Sequence, residues 1–570
     1  MNKIKQLYNL FKRLNFIFKN SQTTGTFKFK AVITLLIFKS IFETIGIGLI
    51  YPFIDLTLNK SQIEQNSFYK FASDFNNSIQ TYDFLLIYGF TLIFFFCLST
   101  FISVIAKVKA DDFIWKTNTN IIKISFKKHI NDSLEVHKKS NSNKITHDVI
   151  NEVHVFINGF LVNFIDLIPK IFLLIFMVSF LIIVNTVVTL VSLIILLIFY
   201  LGLLRALRRK VHMMSKQRYL HQNNLLDYVN SSIKAIKDIK INSFESYFIE
   251  KISIPAHKHS MLNKGVSIYT SLPKFFIESF ILIILVVYVL FNFNKNSIVE
   301  QIPMISILSL SLIKLLPIIQ GMFTNLTRIR FNFNSLNVIE NNLKKSMQKT
   351  TKNDFKMEKF HSLEFKDVSF AYESKFIFKN QNFKFNQSDF WLLYGDSGSG
   401  KTTFTEIMLG FLTPNSGEIQ LNNKLWLNEE LLSKSINLGY VSQDIILFEG
   451  NLVENITLKD KNDDSITLQK INELIDLCSL EDVIYSIGGI HGFISEGGKN
   501  LSAGQKQRII IARALFKDPE LLILDEATSA LNSKLELKIL KKLINSNTSI
   551  FMITHNENLK VQTDNILVLK

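Results

Sequence analysis

Long apolar blocks are confined to the N-terminal part of the chain. They cover residues 31–54, 84–108, 160–184, 186–207, 275–293 and 303–326. Each block is close to the ~20 residues that an apolar helix needs to cross a bilayer. The pattern therefore predicts six membrane-spanning helices, with two long polar connections at residues 109–159 and 208–274.

The segment before the first block, residues 1–30, contains lysine and arginine but no acidic residue. Its apolar side chains recur at helical spacing, at Leu7, Leu10, Phe11, Leu14, Ile17 and Phe18. This pattern predicts a basic amphipathic helix on the inner membrane surface. The connection 55–83 carries more acidic than basic residues, so the positive-inside rule predicts a cytoplasmic N-terminus. An even number of spans then returns the chain to the cytoplasm.

The hydrophobic pattern changes beyond residue 343. Residues 344–360 are polar and charged, as is typical of a linker, and short strand-like runs alternate with helical runs from residue 361 onwards. Such alternation is typical of an α/β unit with a largely parallel sheet. We therefore expect four parts: an amphipathic cytoplasmic helix at 1–30, a transmembrane domain at 31–343, a linker at 344–360 and a cytoplasmic α/β domain at 361–570.

Composition narrows the functional classes. Hydrophobic residues make up 48% of the chain and charged residues 20%, and the net charge is +16. Positive cytoplasmic loops of a membrane protein account for this excess, so we expect no nucleic-acid partner. The two cysteines, Cys97 and Cys478, are too few for a disulfide framework or a cysteine metal cluster.

A Gly-rich loop carries the first chemical signal of the C-terminal half. Residues 395–402 match G-x-x-x-x-G-K-[ST], and with the next residue they read Gly395, Asp396, Ser397, Gly398, Ser399, Gly400, Lys401, Thr402 and Thr403. An apolar run precedes the loop and a helical pattern follows it, and in this context backbone N–H groups cradle phosphates. The motif predicts ATP binding, with Lys401 reaching the β- and γ-phosphates and Thr402 holding Mg²⁺.

A pair of carboxylates carries the second signal. The apolar run 521–524 ends in Asp525 and Glu526. We expect Asp525 to help hold Mg²⁺ through water and Glu526 to polarise the attacking water, which predicts an ATP hydrolase.

A third motif resembles that of a known family. Residues 501–505 read Leu-Ser-Ala-Gly-Gln, which is similar to the L-S-G-G-Q signature of the ATP-binding cassette (ABC) family. In that family the signature opens a helix and contacts the γ-phosphate of a nucleotide held by the other subunit. The resemblance implies an in-trans role, within a dimer, for Ser502, Ala503, Gly504 and Gln505. Ala503 replaces the first glycine, and we expect its methyl group to slow turnover.

Other elements of the family follow in order. Tyr372 matches the aromatic residue that stacks on adenine, Gln443 matches the glutamine that senses Mg²⁺, and His555 matches the switch histidine at the γ-phosphate. Asn532 stands where the family has aspartate in the loop that crosses the dimer interface, which puts coupling between the two sites in question. The resemblance thus implies ATP and Mg²⁺ as cofactors, Glu526 and His555 as catalytic residues, and Thr402 and Gln443 as Mg²⁺ ligands.

The order of the parts is similar to that of exporter-type half-transporters. The expected fold is an α-helical six-span transmembrane domain fused to an α/β P-loop (ABC-type) nucleotide-binding domain. The resemblance implies ATP-driven alternating access in the inner membrane. It also implies a partner, either a second copy of the chain or a homologous half-transporter.

The substrate has a weaker signature. Residues 42–54 resemble the first span of bacterial flippases for lipid-linked oligosaccharides, and Glu278 and Lys314 resemble positions of the same group. Glu43, four residues after Lys39, is another intramembrane charge that faces substrate or forms an ion pair within the bundle. We expect an amphipathic substrate such as a lipid-linked oligosaccharide. The alternatives are an exporter of peptides or small hydrophobic compounds, half of a heterodimeric exporter, and a regulator that only binds ATP.

Overall fold

The computed structural model describes most of the chain. The described residues are 2–21, 25–58, 81–132, 136–137, 142–184, 186–292, 298–348, 357–372, 375–396, 398–426, 431–459, 467–546 and 548–569. Within helices, the description omits the side chains of residues 2–8, 25–26, 51, 55, 58, 81, 184, 187–201, 203–204, 208, 277, 280–282, 284–285, 287–292, 298–314 and 345–348. The chain forms two compact units, one from Met1–Asp132 and Val136–Thr351 and the other containing Lys352–Lys570.

The described part of the N-terminal unit is helical. Its main helices are α1 Asn2–Ser21, α2 Gly25–Gly48, α3 Ile50–Leu58, α4 Thr81–Ile130, α5 Val162–Val184, α6 Thr186–Lys234, α7 Ile236–Ile241, α8 Glu245–Asn292, α9 Ile298–Phe331 and α10 Phe333–Gln348. Short α-helical segments and two π-helical turns, His147–Asn151 and Val155–Leu161, lead into α5. Helices α4, α6 and α8 continue well beyond the predicted apolar blocks, because the apolar pattern marks only the part of a helix that suits lipid.

Three helical stretches among the described residues are long and apolar enough to cross a membrane, namely Phe27–Ile54, Tyr82–Ile130 and Ser142–Ile183. They contain the first three predicted spans. The other three predicted blocks coincide with α6, α8 and α9, where many side chains lie outside the description. The count of six spans therefore stays a prediction.

Helix α1 packs on the bundle through the face that its sequence pattern predicts. Leu14, Ile17 and Phe18 are fully buried, which anchors the helix by its apolar side. On the polar side, Arg13 Nε lies 2.5 Å from Glu340 Oε2, and Arg13 Nη2 donates to Asn337 Oδ1 at 2.6 Å. The N-terminal helix is thus tied to α10 by both apolar contacts and charge.

A buried ion pair lies deeper in this unit. Glu152 is fully buried and Arg218, on α6, is 3% exposed. Arg218 Nη2 lies 3.0 Å from Glu152 Oε1 and 3.3 Å from Oε2, while Arg218 Nη1 donates to Gln222 Oε1 at 2.7 Å. Buried charges persist only when they are paired, so this contact joins the two segments that carry the residues.

The C-terminal unit is an α/β domain. Its strands are β1 Ser362–Tyr372, β2 Lys375–Asn386, β3 Phe390–Gly395, β4 Ser416–Leu421, β5 Lys424–Leu425, β6 Leu438–Val441, β7 Gly450–Asn451, β8 Phe493–Ile494, β9 Leu521–Asp525, β10 Ser549–Ile553 and β11 Ile566–Leu569. Its α-helices are α11 Lys401–Met408, α12 Leu432–Ser435, α13 Leu452–Thr457, α14 Leu468–Cys478, α15 Glu481–Ile487, α16 Ala503–Leu515 and α17 Ser533–Ile544. The main sheet has the order β11-β3-β10-β9-β6, and the pairings between its strands are parallel.

The parallel sheet determines where a ligand can bind. Strands β9 and β10 are buried along their whole length, as the apolar run before Asp525 predicts. Ile553 pairs with both Leu393 and Asp525, so β3, β9 and β10 end at the same level. Ligands of open α/β sheets bind at the carboxyl ends of the strands, and the Gly-rich loop and the two carboxylates all follow such ends.

Candidate functional site

The loop between β3 and α11 has the backbone that phosphate binding requires. Gly398 and Gly400 have φ of +83° and +94°, in the left-handed region that favours glycine. A Cβ atom on Gly400 would collide with Ile377 Cγ2, so a larger residue would force that side chain to move. Ser399 Oγ is buried without a hydrogen-bond partner in the described structure, and such a group suits a ligand oxygen. Ser397 lies outside the described residues.

Lys401 begins α11 and folds back across this loop. Its Nζ atom donates to the backbone oxygens of Gly395 and Asp396, each at 2.8 Å. Burial lowers the pKa of the Lys401 ammonium, while the carboxylates of Glu526, Asp396 and Asp525 oppose the shift. Thr402 follows with an exposed side chain. An ammonium group and the free N–H groups of a first helical turn therefore meet at one loop, which fits a polyphosphate.

Glu526 is the centre of a hydrogen-bonded group at the end of β9. Its Oε1 atom lies 2.7 Å from His555 Nε2, and its Oε2 atom accepts a hydrogen bond from Gln443 Nε2 at 2.7 Å. The backbone of Glu526 has φ of +50°, a conformation that costs a non-glycine residue about 1–3 kcal/mol. The structure thus brings together three residues that the sequence separates widely. The backbone strain lies at the residue that carries the central carboxylate.

Asp525 precedes Glu526 and points into the same region. Its side chain is 4% exposed. Burial and the neighbouring negative charge of Glu526 raise the pKa of Asp525 to about 6, while a hydrogen bond from Tyr440 opposes the shift. A buried carboxylate beside a second one is stabilised by a cation. Asp525, Gln443 and Thr402 therefore fit the oxygen-rich donor set that Mg²⁺ prefers.

The segment that resembles the ABC signature opens α16. Ser502 is the N-cap: its Oγ accepts from Gln505 N at 3.3 Å, and its backbone N–H donates to Gln505 Oε1 at 2.9 Å. This capping box fixes the start of the helix. The Ala503 side chain is exposed and is accommodated within this chain, whereas a Cβ on Gly504 would lie 3.0 Å from the backbone oxygen of Ala530. The in-trans contact of this segment stays a prediction.

Tyr372 stands at the end of β1. Its ring packs edge-on against Phe370 at a centroid distance of 5.0 Å and remains 45% exposed. An exposed ring held by a neighbour suits stacking on a base, so its role at adenine remains a reasonable prediction.

The sequence pattern did not predict one residue that supports this site, Gln507, which contacts the segment after Glu526. Gln507, on α16, is 3% exposed and donates to Ser529 Oγ at 3.0 Å, while its Oε1 atom accepts from Ala530 N at 2.9 Å. Its Nε2 atom also lies 3.4 Å from the backbone oxygen of Glu526. The one signal in the sequence is a polar residue on a helix face that the pattern predicts to be buried.

The candidate substrate residues lie in the N-terminal unit, on α2, α8 and α9. Glu43 is half-buried on α2 and makes no ion pair with Lys39 within 4 Å in the described structure. Glu278, on α8, lies 3.8 Å from Lys274. The side chain of Lys314 lies outside the description. Their role as substrate contacts stays a prediction.

Comparisons with known proteins agree with this geometry. Residues 378–529 match the family model "ABC transporter". A putative export ATP-binding/permease protein of Rickettsia bellii is 37% identical over 216 residues, 36% of this chain and 36% of that protein. The ATP-dependent lipid A-core flippase of Ralstonia nicotianae is 32% identical over 214 residues, again 36% of each chain. The matched segment of this chain thus spans about a third of the length of these curated relatives.

The fold of the whole chain has a counterpart among solved structures. A structure of a bacterial Atm1-family ABC exporter with ATP bound superposes with a TM-score of 0.75 at 16% identity, covering 96% of this chain and 94% of that chain. This likeness concerns the fold. The resemblance of the motifs to the ABC family is therefore confirmed: this chain carries the nucleotide-binding domain of an ABC transporter, within the fold of an ABC exporter.

Proposed function

We propose that this protein is an ATP-driven exporter or flippase of the inner membrane, a multi-pass protein whose N-terminus and ATPase domain are cytoplasmic. The observation that carries the ATPase part is the convergence of Gln443 and His555 on Glu526, at the edge of the sheet that also carries the Lys401 loop. A protein that only binds ATP has no need for this convergence. The full hydrolytic set therefore favours turnover over a regulatory role.

The loop at 395–402 binds the phosphates of ATP. The Lys401 ammonium exchanges its two carbonyl acceptors for phosphate oxygens, and the N-terminus of α11 adds N–H donors. Thr402 and Gln443 would hold Mg²⁺, Asp525 would help through water, and the ion would neutralise phosphate charge. Tyr372 stacks on adenine. These roles place the γ-phosphate before Glu526 and His555.

Glu526 orients and deprotonates the attacking water. One oxygen accepts a hydrogen bond from Gln443 and the other lies 2.7 Å from His555 Nε2, so two different residues restrict the orientation of the carboxylate. His555 Nε2 faces the same carboxylate, and we expect His555 to contact the γ-phosphate as well. Positioned proton transfer of this kind contributes about 10²–10⁴-fold to a rate.

The active unit is a dimer, in which Ser502, Ala503, Gly504 and Gln505 of one chain face the nucleotide of the other. Asn532 does not disturb the local fold, because its side chain caps α17 by accepting from Leu535 N at 2.8 Å. Aspartate and asparagine cap helices about equally well. The near-complete nucleotide site favours a homodimer, whereas Ala503 and Asn532 leave room for pairing with a homologous half-transporter.

A group of lysines in the N-terminal unit favours a substrate with an anionic headgroup. Lys107 Nζ lies 3.1 Å from Asp111 and 3.9 Å from Asp166. Lys170 packs over Gly321, where a Cβ atom would lie 2.8 Å from its Nζ. Lys170 also lies within electrostatic range of Asp166, Lys39 and Lys107, so positive charge from several helices gathers in one region of this unit.

These lysines come from three helices and lie in the predicted cytoplasmic halves of the first three spans. Intramembrane charges usually face a cavity or a partner rather than lipid. We therefore propose an amphipathic lipid with an anionic headgroup, such as a lipid-linked oligosaccharide, as the substrate. Export of peptides or small hydrophobic compounds is the alternative, and a neutral compound would make no use of the lysines.

The substrate is tested by flipping of a fluorescent lipid-linked oligosaccharide in proteoliposomes that contain this chain alone. The variant Lys170→Gln should reduce substrate-stimulated ATP turnover and flipping about tenfold, because a hydrogen bond to a charged group is lost, and leave basal turnover unchanged. Lys123→Gln, an exposed lysine on α4, is the matched control and should behave like the parent.

Other outcomes separate the alternatives. Equal losses of basal and stimulated turnover in Lys170→Gln would give Lys170 a purely structural role. Hydrolysis by the parent without flipping would show that the substrate is wrong, and stimulation by a peptide or a neutral dye would then favour the alternative exporters. Absence of both hydrolysis and flipping would indicate a missing partner subunit.

A further inference from the structure

Two loops carry the proposed catalytic pair, and their relative position matters. Glu526 follows β9 and His555 lies two residues beyond the end of β10, which pairs with β9 in register. The backbone N–H of Glu526 donates to Ile553 O at 3.1 Å. Beyond that bond the sheet ends, so the contact between Glu526 and His555 needs another support on the loop side.

Glu536, on α17, connects these two loops. Its side chain is 4% exposed, and its two oxygens face different segments. Oε1 accepts from Thr528 Oγ1 at 2.5 Å, two residues after Glu526. Oε2 accepts from Asn556 Nδ2 at 3.0 Å, next to His555. Both bonds end on a buried carboxylate and are therefore charge-assisted, which makes them stronger than neutral hydrogen bonds.

The orientation of the Asn556 amide follows from its other contacts. Asn556 Oδ1 accepts from the backbone N–H of Asn558 at 3.1 Å, so Nδ2 is the group that faces Glu536. The backbone N–H of Asn556 also donates to Thr554 Oγ1 at 3.0 Å. The side chain and the backbone of Asn556 are thus both held by hydrogen bonds. Glu536 links residues 554–556, here called the switch segment, to the loop of Glu526.

We propose that Glu536 is a positioning residue for ATP hydrolysis, which holds the loops of Glu526 and His555 at the separation that their contact requires. The inference rests on the proposed ATPase function. Gln507 anchors the same loop from α16 through Ser529 and Ala530, so Glu536 is the anchor that also reaches the switch segment. Glu536 acts through these loops and not on the nucleotide, so it should affect turnover more than ATP binding.

In the Glu536–Asn556 hydrogen bond the amide donates and the carboxylate accepts, so exchanging the amide and the carboxylate between the two positions tests the contact. Glu536→Gln keeps an acceptor for Thr528 but turns an amide donor towards the Asn556 donor. Asn556→Asp places a second carboxylate against Glu536. In the double variant Glu536→Gln/Asn556→Asp the new amide donates to the new carboxylate, so the hydrogen bond returns with reversed direction and the cap for Asn558 is kept.

The experiment measures kcat and KM for ATP hydrolysis by the full chain in lipid nanodiscs, beside Glu526→Gln. We expect each single variant to lower kcat about tenfold with KM changed less than twofold, and the double variant to recover most of the loss. Glu418→Gln, an exposed acid on β4, is the control and should match the parent. Thermal unfolding and binding of a fluorescent ATP analogue, measured on each variant, identify any that fail to fold.

Two results would overturn the proposal in different ways. In the first case Glu526→Gln abolishes turnover, but Glu536→Gln matches the parent or the double variant loses as much as the two single variants together. Glu536 is then not a positioning residue, and the ATPase function stands. If Glu526→Gln turns over at the parent rate, the proposed function fails first and the inference fails with it.

Discussion

Glu526→Gln is expected to lower ATP turnover by about two orders of magnitude or more while ATP still binds. Gln443 Nε2 donates to one oxygen of the carboxylate and His555 Nε2 lies 2.7 Å from the other, and a glutamine offers one oxygen where the carboxylate offers two. It also cannot take a proton from water. Phosphate release and binding of a fluorescent ATP analogue, measured on the same preparation, separate the two effects.

The variant also reports on the dimer. We expect ATP to hold two nucleotide-binding domains together and hydrolysis to release them, so Glu526→Gln with ATP should accumulate this closed dimer. Cross-linking or distance measurements between labelled nucleotide-binding domains detect it. Glu449→Gln changes an exposed acid of the same domain and is the control. Normal phosphate release from Glu526→Gln would refute its assignment as the catalytic residue.

The site was predictable where its parts are contiguous in the sequence. The loop at 395–402 and the buried run before Asp525 each fold from neighbouring residues, and their patterns specify both chemistry and position. Glu536 and Gln507 were not predictable, because each is an ordinary polar residue on a helix and gains its role from loops far away in the sequence. Pairings between distant segments leave no periodic signal.

The same distinction holds in the N-terminal unit. Hydropathy located the apolar parts of the first three long helical stretches, since lipid demands a long uninterrupted run of apolar residues. It did not predict how far α4 continues, because Thr81–Ile130 becomes polar after the apolar part without leaving the helix. The pairing of Glu152 with Arg218 was equally invisible, since neither residue belongs to a motif.

Removal of Arg218 should therefore have the largest effect on stability. In Arg218→Leu, Glu152 stays fully buried but loses the guanidinium that lies 3.0 Å away. Breaking a buried pair by removing one partner costs about 3–5 kcal/mol. Among the described residues, the variant keeps only a weaker partner of Glu152, His147, whose Nε2 lies 3.8 Å from Glu152 Oε1 and which is charged only when protonated. Thermal unfolding in detergent, followed by the fluorescence of a dye that reports exposed apolar surface, should show a clearly lower midpoint.

The double variant Arg218→Leu/Glu152→Leu tests the cause. If the loss comes from the orphaned carboxylate, removing Glu152 as well should restore most of the midpoint, since apolar replacements of buried ion pairs are often neutral or stabilising. Lys240→Ala removes a partner from the exposed pair with Glu245 at 3.1 Å and should cost less than about 1 kcal/mol. Equal midpoints for the single and double variants would instead assign the loss to packing around Gln222, because the guanidinium also donates to that side chain. The comparison thus separates the effect of the Arg218 charge from the effect of its packing. If the double variant recovers the midpoint, the charge pair with Glu152 accounts for the contribution of Arg218 to stability.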